Sequence, residues 1–415
     1  MATERLYYDD AFQQEFTAEV LSCEPAGAGK ADAAAVGAAS AAAEAARWRV
    51  KLDRTAFYPT SGGQPHDLGK LGDANVKVID EEDEVVHVVD RAVPIGKIMG
   101  HIDWQRRFDH MQQHSGQHLL SAVFARDYAL PTVSFHLGAE LCNIDVRGRE
   151  VTQGMLDGAS SAVNEIIYED RAMNVKYGTA EELAAAGVRK TVERSGVLRA
   201  MEIADLELQP CGGTHVRRTG QIGTMLLRGV SKIRQDWRVE FVCGRRAERL
   251  AREDFASLRA VAERLNCSMQ ETVAAAERVV AERDAHFKSA RAGIEKLAEV
   301  EARALLQGTE SRADGLRVVT RVVEGLPLEY AQCFAREIAK AENSVALVAR
   351  SECGSIFFSQ HPTAGKDMNA LLGAALKEVG GKGGGSRDAA RGRLAETQRI
   401  RELLSFAEER IRRAE

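Results

Sequence analysis

Long apolar runs and clustered positive charge are both missing from this sequence. No stretch of 18 apolar residues is present, so a membrane-spanning helix is not expected. The first residues, MATER, lack the charged and then apolar order of a signal peptide, and we expect a cytoplasmic protein. The formal net charge is -5, whereas non-specific binding to nucleic acid needs clustered cations. We therefore expect neither a membrane nor a DNA partner, and any surface for RNA must be local.

Cysteines are few, and none of the seven lies in a CxxC pair. This spacing argues against a disulfide framework and against a zinc ribbon. One cysteine has a distinctive context, because Cys211 and His215 flank a Gly-Gly-Thr string that follows Pro210. Glycines let the backbone turn tightly enough for a thiolate and an imidazole to reach the same ion. This loop is therefore a candidate for half of a metal site.

A second pair of metal-ligand residues, His114 and His118, is spaced four apart in a predicted helix over residues 104–125. Side chains at this spacing share one helix face, with Cβ atoms about 5–6 Å apart, so both imidazoles can approach one ion. Three nitrogens and one sulfur suit zinc. The sequence predicts one Zn2+ ion per chain, held by His114, His118, Cys211 and His215.

The residues around this predicted site leave several alternatives open. Position 115 is Ser, so the general-base glutamate of an HExxH peptidase is absent. His110 and His136 compete as ligands, but we expect them to pack or to support the ligands. Four protein ligands usually close a structural zinc site, whereas catalytic zinc keeps one position open. Either one ligand binds weakly or leaves, or zinc mainly positions a substrate.

Apolar periodicity predicts an α+β protein, and the length of 415 residues suggests two to four domains. A heptad spacing after residue 246 predicts an antiparallel helical hairpin, which could also be the surface of a homodimer. Residues 26–46, rich in alanine, are predicted to be a variable surface insertion. The predicted domains are a small β-barrel-like domain with a glycine-rich motif (1–95), a zinc-binding α+β domain (96–245), the hairpin (246–308) and a C-terminal α/β domain (309–415).

The C-terminal domain contains a second glycine-rich stretch, GGKGGGS at residues 380–386. A flexible linker and a phosphate-binding cradle of backbone amides are both consistent with it. Cationic residues accompany the glycines, namely Lys382, Arg387, Arg391 and Arg393. No Lys-Ser/Thr pair follows, so the stretch is not a P-loop, and we favour RNA backbone over ATP.

Five motifs resemble, in order, those of the free-standing alanyl-tRNA editing proteins of the long AlaX type. They are FYPTSGGQP at 57–65, RFDHMQQHSGQHLL at 107–120, SFHLG at 134–138, PCGGTHV at 210–216 and RVEFVCG at 238–244. The rest of the chain resembles the C-terminal part of alanyl-tRNA synthetase. That synthetase's aminoacylation and anticodon-side domains have no counterpart here.

The resemblance implies a trans-editing hydrolase that removes a wrong amino acid, chiefly serine, from tRNA(Ala) by zinc-dependent ester hydrolysis. By position in the motif, Thr60 would hydrogen-bond the serine hydroxyl and Gln64 would orient the ester or water, while Gly62 and Gly63 would contact the substrate. The resemblance also associates the C-terminal domain with tRNA binding or dimerisation, and Lys382, Arg387 and Arg391 are the residues that we expect to contact RNA.

Two alternatives remain at this point. Thr60 could simply end a turn with the serine and glycines that follow it, because these residue types are typical of turns. The protein could also be a non-catalytic tRNA-binding module whose zinc is structural. Loss of zinc would unfold such a module, whereas an enzyme could keep its fold and lose hydrolysis.

Overall fold

The computed structural model describes residues 3–26, 47–81, 84–188 and 196–413. The chain divides into two compact units, Met1–Leu258 and Arg259–Glu415. The predicted insertion at 26–46 lies, apart from Ala26, outside the described residues, and the four-domain division stays a prediction. No helix in the described ranges combines the length and the apolar character that crossing a membrane requires.

A small closed β-barrel forms the first part of the first unit. The strands here are β1 (Glu4–Arg5), β2 (Glu15–Pro25), β3 (Trp48–Leu52), β4 (Arg54–Thr55), β5 (Gly69–Leu71), β6 (Ala74–Glu81), β7 (Val85–Val89) and β8 (Gly96–Ile102). The barrel closes in the order β2, β3, β7, β6, β5, β8. Alternate residues of β2 are buried, as expected for a strand with one face on a core. The barrel-like fold predicted for this region is confirmed.

The second part of the first unit surrounds one long helix with two antiparallel sheets. Its elements are α1 (Trp104–Tyr128), β9 (Thr132–Leu137), β10 (Cys142–Arg147), α2 (Gln153–Tyr168), β11 (Met173–Gly178), α3 (Ala180–Ala185), β12 (Leu198–Ile203), β13 (Glu207–Pro210), β14 (Met225–Ile233), β15 (Asp236–Cys243) and the part of α4 (Gly244–Leu265) up to Leu258. The sheets have the orders β14-β15-β10-β9 and β11-β12-β13. The α+β class is thus confirmed.

Helix α1 is the predicted zinc helix, and it is buried over most of its length. The Asp103 side chain caps it by accepting a hydrogen bond from the Arg106 amide at 3.1 Å. The helix ends before Ala129, which adopts the left-handed conformation with φ 56°. Leu119 and Val123 pack into the core, as the sequence predicts. A helix held on all sides can position its polar side chains with little freedom.

A buried ion pair joins α1 to the barrel. The guanidinium of Arg107 donates to the carboxylate of Asp67, with Nε to Oδ2 at 2.9 Å, and both side chains are fully buried. Asp67 also accepts from the amide of Tyr58 at 2.7 Å, and Arg107 donates to the carbonyl of Ala11 at 2.9 Å. The pair therefore fixes the segment 58–67, which contains the glycine-rich motif, against the helix.

The helices predicted around residue 266 are present. Helix α4 ends at Leu265, Asn266 takes a positive φ of 51°, and α5 follows over Thr272–Gly308. The predicted heptad positions Val273, Val280 and Phe287 are exposed, so nothing in the described chain covers this seam. The antiparallel packing of α4 against α5 and the homodimer surface therefore both remain predictions.

The second unit contains a five-stranded sheet with helices packed on it. After α5 come β16 (Arg317–Val323), α6 (Leu328–Ile338), β17 (Ser344–Arg350), β18 (Ser355–Gln360), α7 (Met368–Val379), β19 (Lys382–Gly385), β20 (Ala389–Arg393) and α8 (Ile400–Arg413). The order is β16-β17-β18-β20-β19, and only β16 and β17 pair in parallel. Four residues of the glycine run form the edge strand β19, so the run is not a flexible linker. Its predicted contact with phosphate stays a prediction.

Candidate metal centre

Helix α1 supplies two imidazoles on one buried face. His114 and His118 are one turn apart, and their ring centroids lie 5.3 Å from each other. Both side chains are more than nine-tenths buried, which removes competing water from most directions. Rotation of the two rings is therefore restricted by packing before any ion binds.

The loop after β13 supplies the other two side chains. Arg199 holds this loop by donating to the carbonyls of Cys211 at 2.8 Å and Gly213 at 3.0 Å. Position 213 must be glycine, since a Cβ there would lie 2.2 Å from the Cε1 atom of His114. The Gly-Gly string thus allows the loop to approach α1 closely enough for Cys211 and His215 to join the histidines.

The ligand atoms of His114, His118, Cys211 and His215 all lie within 4.8 Å of one another. The Sγ atom of Cys211 is 3.2 Å from Nε2 of His215 and 3.5 Å from Nε2 of His114. A cluster of three imidazoles and one thiol can hold one metal ion, and its donor set fits zinc. All four predicted ligands are brought together.

Each histidine of the cluster has a partner on its other ring nitrogen. The Nδ1 atom of His114 donates to Oε1 of Gln64 at 2.9 Å. The Nδ1 atom of His215 is 3.2 Å from Oγ of Ser115. The Nδ1 atom of His118 is 3.7 Å from a carboxylate oxygen of Glu207. Such partners fix the tautomer and leave the Nε2 atoms for the ion, as metal-binding histidines require.

The electrostatics of the cluster favour a thiolate. Burial alone would raise the pKa of the Cys211 thiol, but the imidazoles of His114 and His215 outweigh it and hold that pKa well below its usual value. Burial would lower the pKa of His118, yet the Cys211 thiol and the Glu207 carboxylate raise it to about 10. The thiolate is the form of cysteine that binds a metal cation, and each imidazole must be neutral to join it.

The glycine-rich motif forms a tight turn that reaches this cluster. Ser61 and Gln64 exchange two backbone hydrogen bonds, of 3.1 and 2.9 Å, around Gly62 and Gly63. Both glycines have positive φ, 56° and 84°, as a two-residue hairpin turn of type I′ requires. A Cβ on Gly63 would lie 2.7 Å from the ring of Phe135, which stacks on His114 with centroids 5.1 Å apart.

Gln64 ties the glycine-rich turn to the cluster. Its side chain is fully buried, and its amide donates to Oγ1 of Thr214 at 2.8 Å while its oxygen accepts from the amide of Thr214 at 3.1 Å. The same oxygen accepts from His114, whereas the amide nitrogen carries a second N–H beyond the one given to Thr214. Gln64 therefore positions His114 and the loop, and its catalytic role stays a prediction.

The remaining predicted site residues lie outside the cluster. Thr60 is exposed, and its hydroxyl lies 2.9 Å from Nδ1 of His66. Lys382, Arg387 and Arg391 belong to the second unit, where all three are exposed. The predicted supporting role of His136 is not seen, because its side chain is exposed on β9 and forms no hydrogen bond with the ligands within the described part of the chain.

Several contacts of the centre were not predicted from the sequence, although Ser115 and Phe135 lie within two of the five motifs. Ser115 stands where a peptidase would have its glutamate, and here it accepts from the amide of Val216 at 3.1 Å. Glu207 lies in β13, four residues before Cys211, and this spacing is the one signal that could have suggested it. Arg199 and Phe135 act through tertiary contacts that no local spacing reveals.

Two family comparisons match parts of the chain. The threonyl and alanyl tRNA synthetase second additional domain matches residues 198–240, which include the loop of Cys211 and His215. The DHHA1 domain matches residues 317–413, which cover most of the second unit. The fold and the site thus define a protein related to the appended domains of these synthetases.

Relatives that match nearly the whole chain identify one family within this class. The alanyl-tRNA editing protein AlaX-L of Pyrococcus horikoshii is 31% identical over 432 residues, covering 99% of this chain and 98% of that protein. Aarsd1 of Rattus norvegicus, also an alanyl-tRNA editing protein, is 27% identical, and the match covers 97% of this chain and 97% of that protein. The alanine–tRNA ligase of Pyrococcus abyssi is 28% identical over 97% of this chain but only 43% of the ligase. This chain belongs to the alanyl-tRNA editing proteins of the AlaX type.

We expect the double variant Cys211→Ala/His215→Ala to lose bound zinc while it keeps its fold, because α1 is packed mainly by apolar contacts. Metal analysis gives the zinc content per chain, and circular dichroism reports the fold. The matched control Cys267→Ala/His286→Ala changes the same residue types outside the centre and should keep the zinc. Full zinc content in the folded double variant would place the metal site elsewhere.

Measurements of zinc binding also distinguish the residues that bind the ion from the residues that only hold those ligands. Glu207→Gln keeps the shape of the side chain but removes the charge beside His118, so zinc affinity should fall by about 10–100-fold, the usual effect of losing such a partner. An unchanged affinity in competition with a chelator would show that Glu207 does not support His118.

Proposed function

We propose that the chain is a trans-editing deacylase that hydrolyses the ester between a wrong amino acid, chiefly serine, and tRNA(Ala). In this reaction water adds to the acyl carbon, the bond to the ribose oxygen breaks, and serine and uncharged tRNA are released. The observation that carries the proposal is the cluster of His114, His118, Cys211 and His215. The names of the full-length relatives support tRNA(Ala) editing.

The chemical need for such a site follows from the similarity of alanine and serine. A pocket built for alanine cannot strongly reject a side chain that only adds a hydroxyl. A second site that reads this hydroxyl by a hydrogen bond can discriminate far better, because the analogue without it leaves a polar group unpaired. Serine esters would therefore be hydrolysed and alanine esters spared.

The centre is open at one side. Cys211 is half-buried and Gly212 is exposed, whereas the three histidines are buried. An aminoacyl end would approach from this side. Bound zinc would supply polarisation of the ester carbonyl or a more acidic bound water. The protein's own contribution is to hold the imidazoles, through Gln64, Ser115 and Glu207, and to exclude water from their buried side.

Thr60 is suited to accept a hydrogen bond from a serine hydroxyl. Burial lowers the pKa of His66, so its ring is neutral near pH 7. The Nε2 atom of His66 donates to the carbonyl of Lys77 at 3.1 Å, which leaves Nδ1 as an acceptor for the Thr60 hydroxyl at 2.9 Å. The proton of Thr60 is then committed to the His66 ring. The Thr60 oxygen accepts from the His66 backbone amide at 3.2 Å, and its second lone pair is left for a ligand.

The alternative function is a non-catalytic tRNA-binding module with a structural zinc. The four protein ligands favour it, because closed four-ligand sites are typical of structural zinc. The two functions differ in one measurable respect, since only the enzyme releases the amino acid.

Deacylation of serine-charged and alanine-charged tRNA(Ala) tests the proposal. We expect release of serine that is fast relative to release of alanine and that stops when a chelator removes the metal. Circular dichroism after chelation checks that the protein is still folded. No serine release by the folded, zinc-loaded protein would favour the binding module.

The role of Thr60 predicts a change of selectivity rather than a general loss. Thr60→Val keeps the shape of the side chain but removes the hydrogen-bond acceptor. The rate of serine release should therefore fall by about tenfold, which corresponds to one hydrogen bond of roughly 1.5 kcal/mol. The slow release of alanine should not change. Thr60→Ser restores a hydroxyl and is the matched control. A serine-to-alanine rate ratio that is equal in wild type and Thr60→Val would exclude Thr60 as the reader.

The edge hairpin of the second unit supports a role in tRNA binding. Strands β19 and β20 pair Lys382 with Arg393 and Gly384 with Arg391, so these three cations share one face of the hairpin. Their side chains are exposed, and Arg387 lies in the connecting turn. We propose that this cationic face contacts the phosphate backbone of tRNA(Ala).

Phosphate binding gives this proposal a salt-dependent test. In Lys382→Ala/Arg387→Ala/Arg391→Ala, the affinity for uncharged tRNA(Ala) should fall, and the slope of log affinity against log salt should shrink by about one for each cation that no longer neutralises a phosphate. The control Lys377→Ala/Arg401→Ala/Arg410→Ala removes three exposed cations elsewhere in the unit. Equal slopes in wild type and both variants would remove this face from the tRNA surface.

A further inference from the structure

A cavity of about 680 Å³ lies along the N-terminal half of α1, and neither the metal centre nor the cationic hairpin includes it. We call it the α1 cavity, and its defining residues are Trp104, Phe108, His110, Gln112 and Arg245. Its volume falls within the range of about 300–1,000 Å³ that is usual for small-ligand sites.

Three chain segments connect the wall of the α1 cavity to the metal centre. Pro65, in its wall, follows Gln64, which is bonded to His114. His110 is one helical turn before His114 on the same helix. Gly138, also in the wall, directly follows β9, the strand that carries the Phe135 ring stacked on His114. The cavity and the metal centre are therefore built on the same segments of the chain.

One wall carries two aromatic rings that are tilted towards each other. The rings of Trp104 and Phe108 have centroids 5.6 Å apart and planes inclined by 36°. Phe12 supports both rings from the side, at 5.5 and 6.3 Å, and Arg217 lies 4.3 Å from the Phe12 ring. Trp104 and Phe108 are half-buried, so each still presents surface to the cavity. Such a surface suits stacking by a planar ring.

Two polar side chains in this wall have atoms without a partner among the described residues. Both His110 and Gln112 are more than nine-tenths buried, yet Nδ1 of His110 and Oε1 of Gln112 accept and donate no hydrogen bond there. Burial, together with the cation of Arg106, lowers the pKa of His110 to about 3, so the ring is neutral. A buried polar atom without a partner costs about 1–3 kcal/mol. Because both atoms are closed off from solvent, a side-chain rotation would have to bring them to the cavity surface before a ligand could bond to them.

The charge at the cavity mouth is positive. Arg246 is neutralised by Asp109, with Nε to Oδ1 at 2.8 Å, and Arg249 pairs with a glutamate. Arg245 is exposed and has no acidic partner in the described ranges, and Arg106 donates only to the carbonyl of His66 at 3.1 Å. Two guanidinium groups are thus available to an anion such as a phosphate.

We propose that the α1 cavity binds one unpaired nucleotide of RNA, with its base against Trp104 and Phe108 and its phosphate at Arg245. Stacking on aromatic rings, hydrogen bonds to base edges and an arginine for the backbone are the elements by which proteins bind single-stranded RNA. The inference rests on the proposed function in one respect, since the nucleotide would belong to the acceptor end whose ester reaches the metal centre.

The test uses two RNA probes and the full-length, zinc-loaded chain. One probe is a hairpin with a four-nucleotide single-stranded 3′ end, and the other is the same hairpin with a blunt end. We expect Arg245→Ala and Trp104→Leu each to weaken binding of the overhang probe by about tenfold or more, the effect of losing one stacked base, and to leave the blunt probe unchanged. Arg149→Ala, which removes an exposed arginine of the first unit that does not line the cavity, should change neither affinity.

Fluorescence gives a second readout that does not depend on hydrolysis. In Trp48→Phe/Trp237→Phe, Trp104 is the one tryptophan left, and stacking of a base should quench its emission with the overhang probe only. If the overhang probe quenches the emission of a protein that releases no serine, nucleotide binding in the α1 cavity is supported and the deacylase function is contradicted. Serine release without quenching, and with equal affinities in wild type, Arg245→Ala and Trp104→Leu, would overturn the cavity proposal and leave the deacylase standing.

Discussion

The buried ion pair between Arg107 and Asp67 is the interaction on which the metal centre depends. It lies where the barrel meets α1, and both side chains are closed off from solvent. Removing one partner of such a pair costs about 3–5 kcal/mol, because the other charge stays buried. Asp67 also anchors the backbone of Tyr58, so the turn between them is held in place. Through this turn Gln64 reaches His114, and the barrel becomes part of the metal site.

The sequence allowed the ligands to be predicted because each pair is local. His114 and His118 are fixed by helical periodicity, and Cys211 and His215 by a glycine loop, so both halves can be recognised without knowing the fold. Apolar periodicity also allowed strands of the barrel and of the C-terminal sheet to be predicted from the sequence. The contacts between the halves were not predictable, because Gln64 meets His114 across 50 residues and Ser115 meets His215 across 100.

Two segments show how distant parts of the chain shape a local pattern. Gln64 was predicted to orient an ester or water, and the fold buries its side chain and bonds it to Thr214 and His114, so it also positions the cluster. The C-terminal glycines were compatible with a flexible linker, yet β20 provides hydrogen-bonding partners and turns four residues of the run into a strand. In both cases the sequence could not show the contacts with the distant segment, because they join residues far apart in the chain.

The central claim is that one zinc ion is held by three imidazoles and a single thiolate. X-ray absorption at the zinc edge measures this coordination directly in solution. The account predicts nitrogen neighbours at about 2.0–2.1 Å and one sulfur neighbour at about 2.3 Å. A first coordination shell without sulfur, or with two sulfurs, would contradict the assignment of Cys211 as the only thiolate ligand.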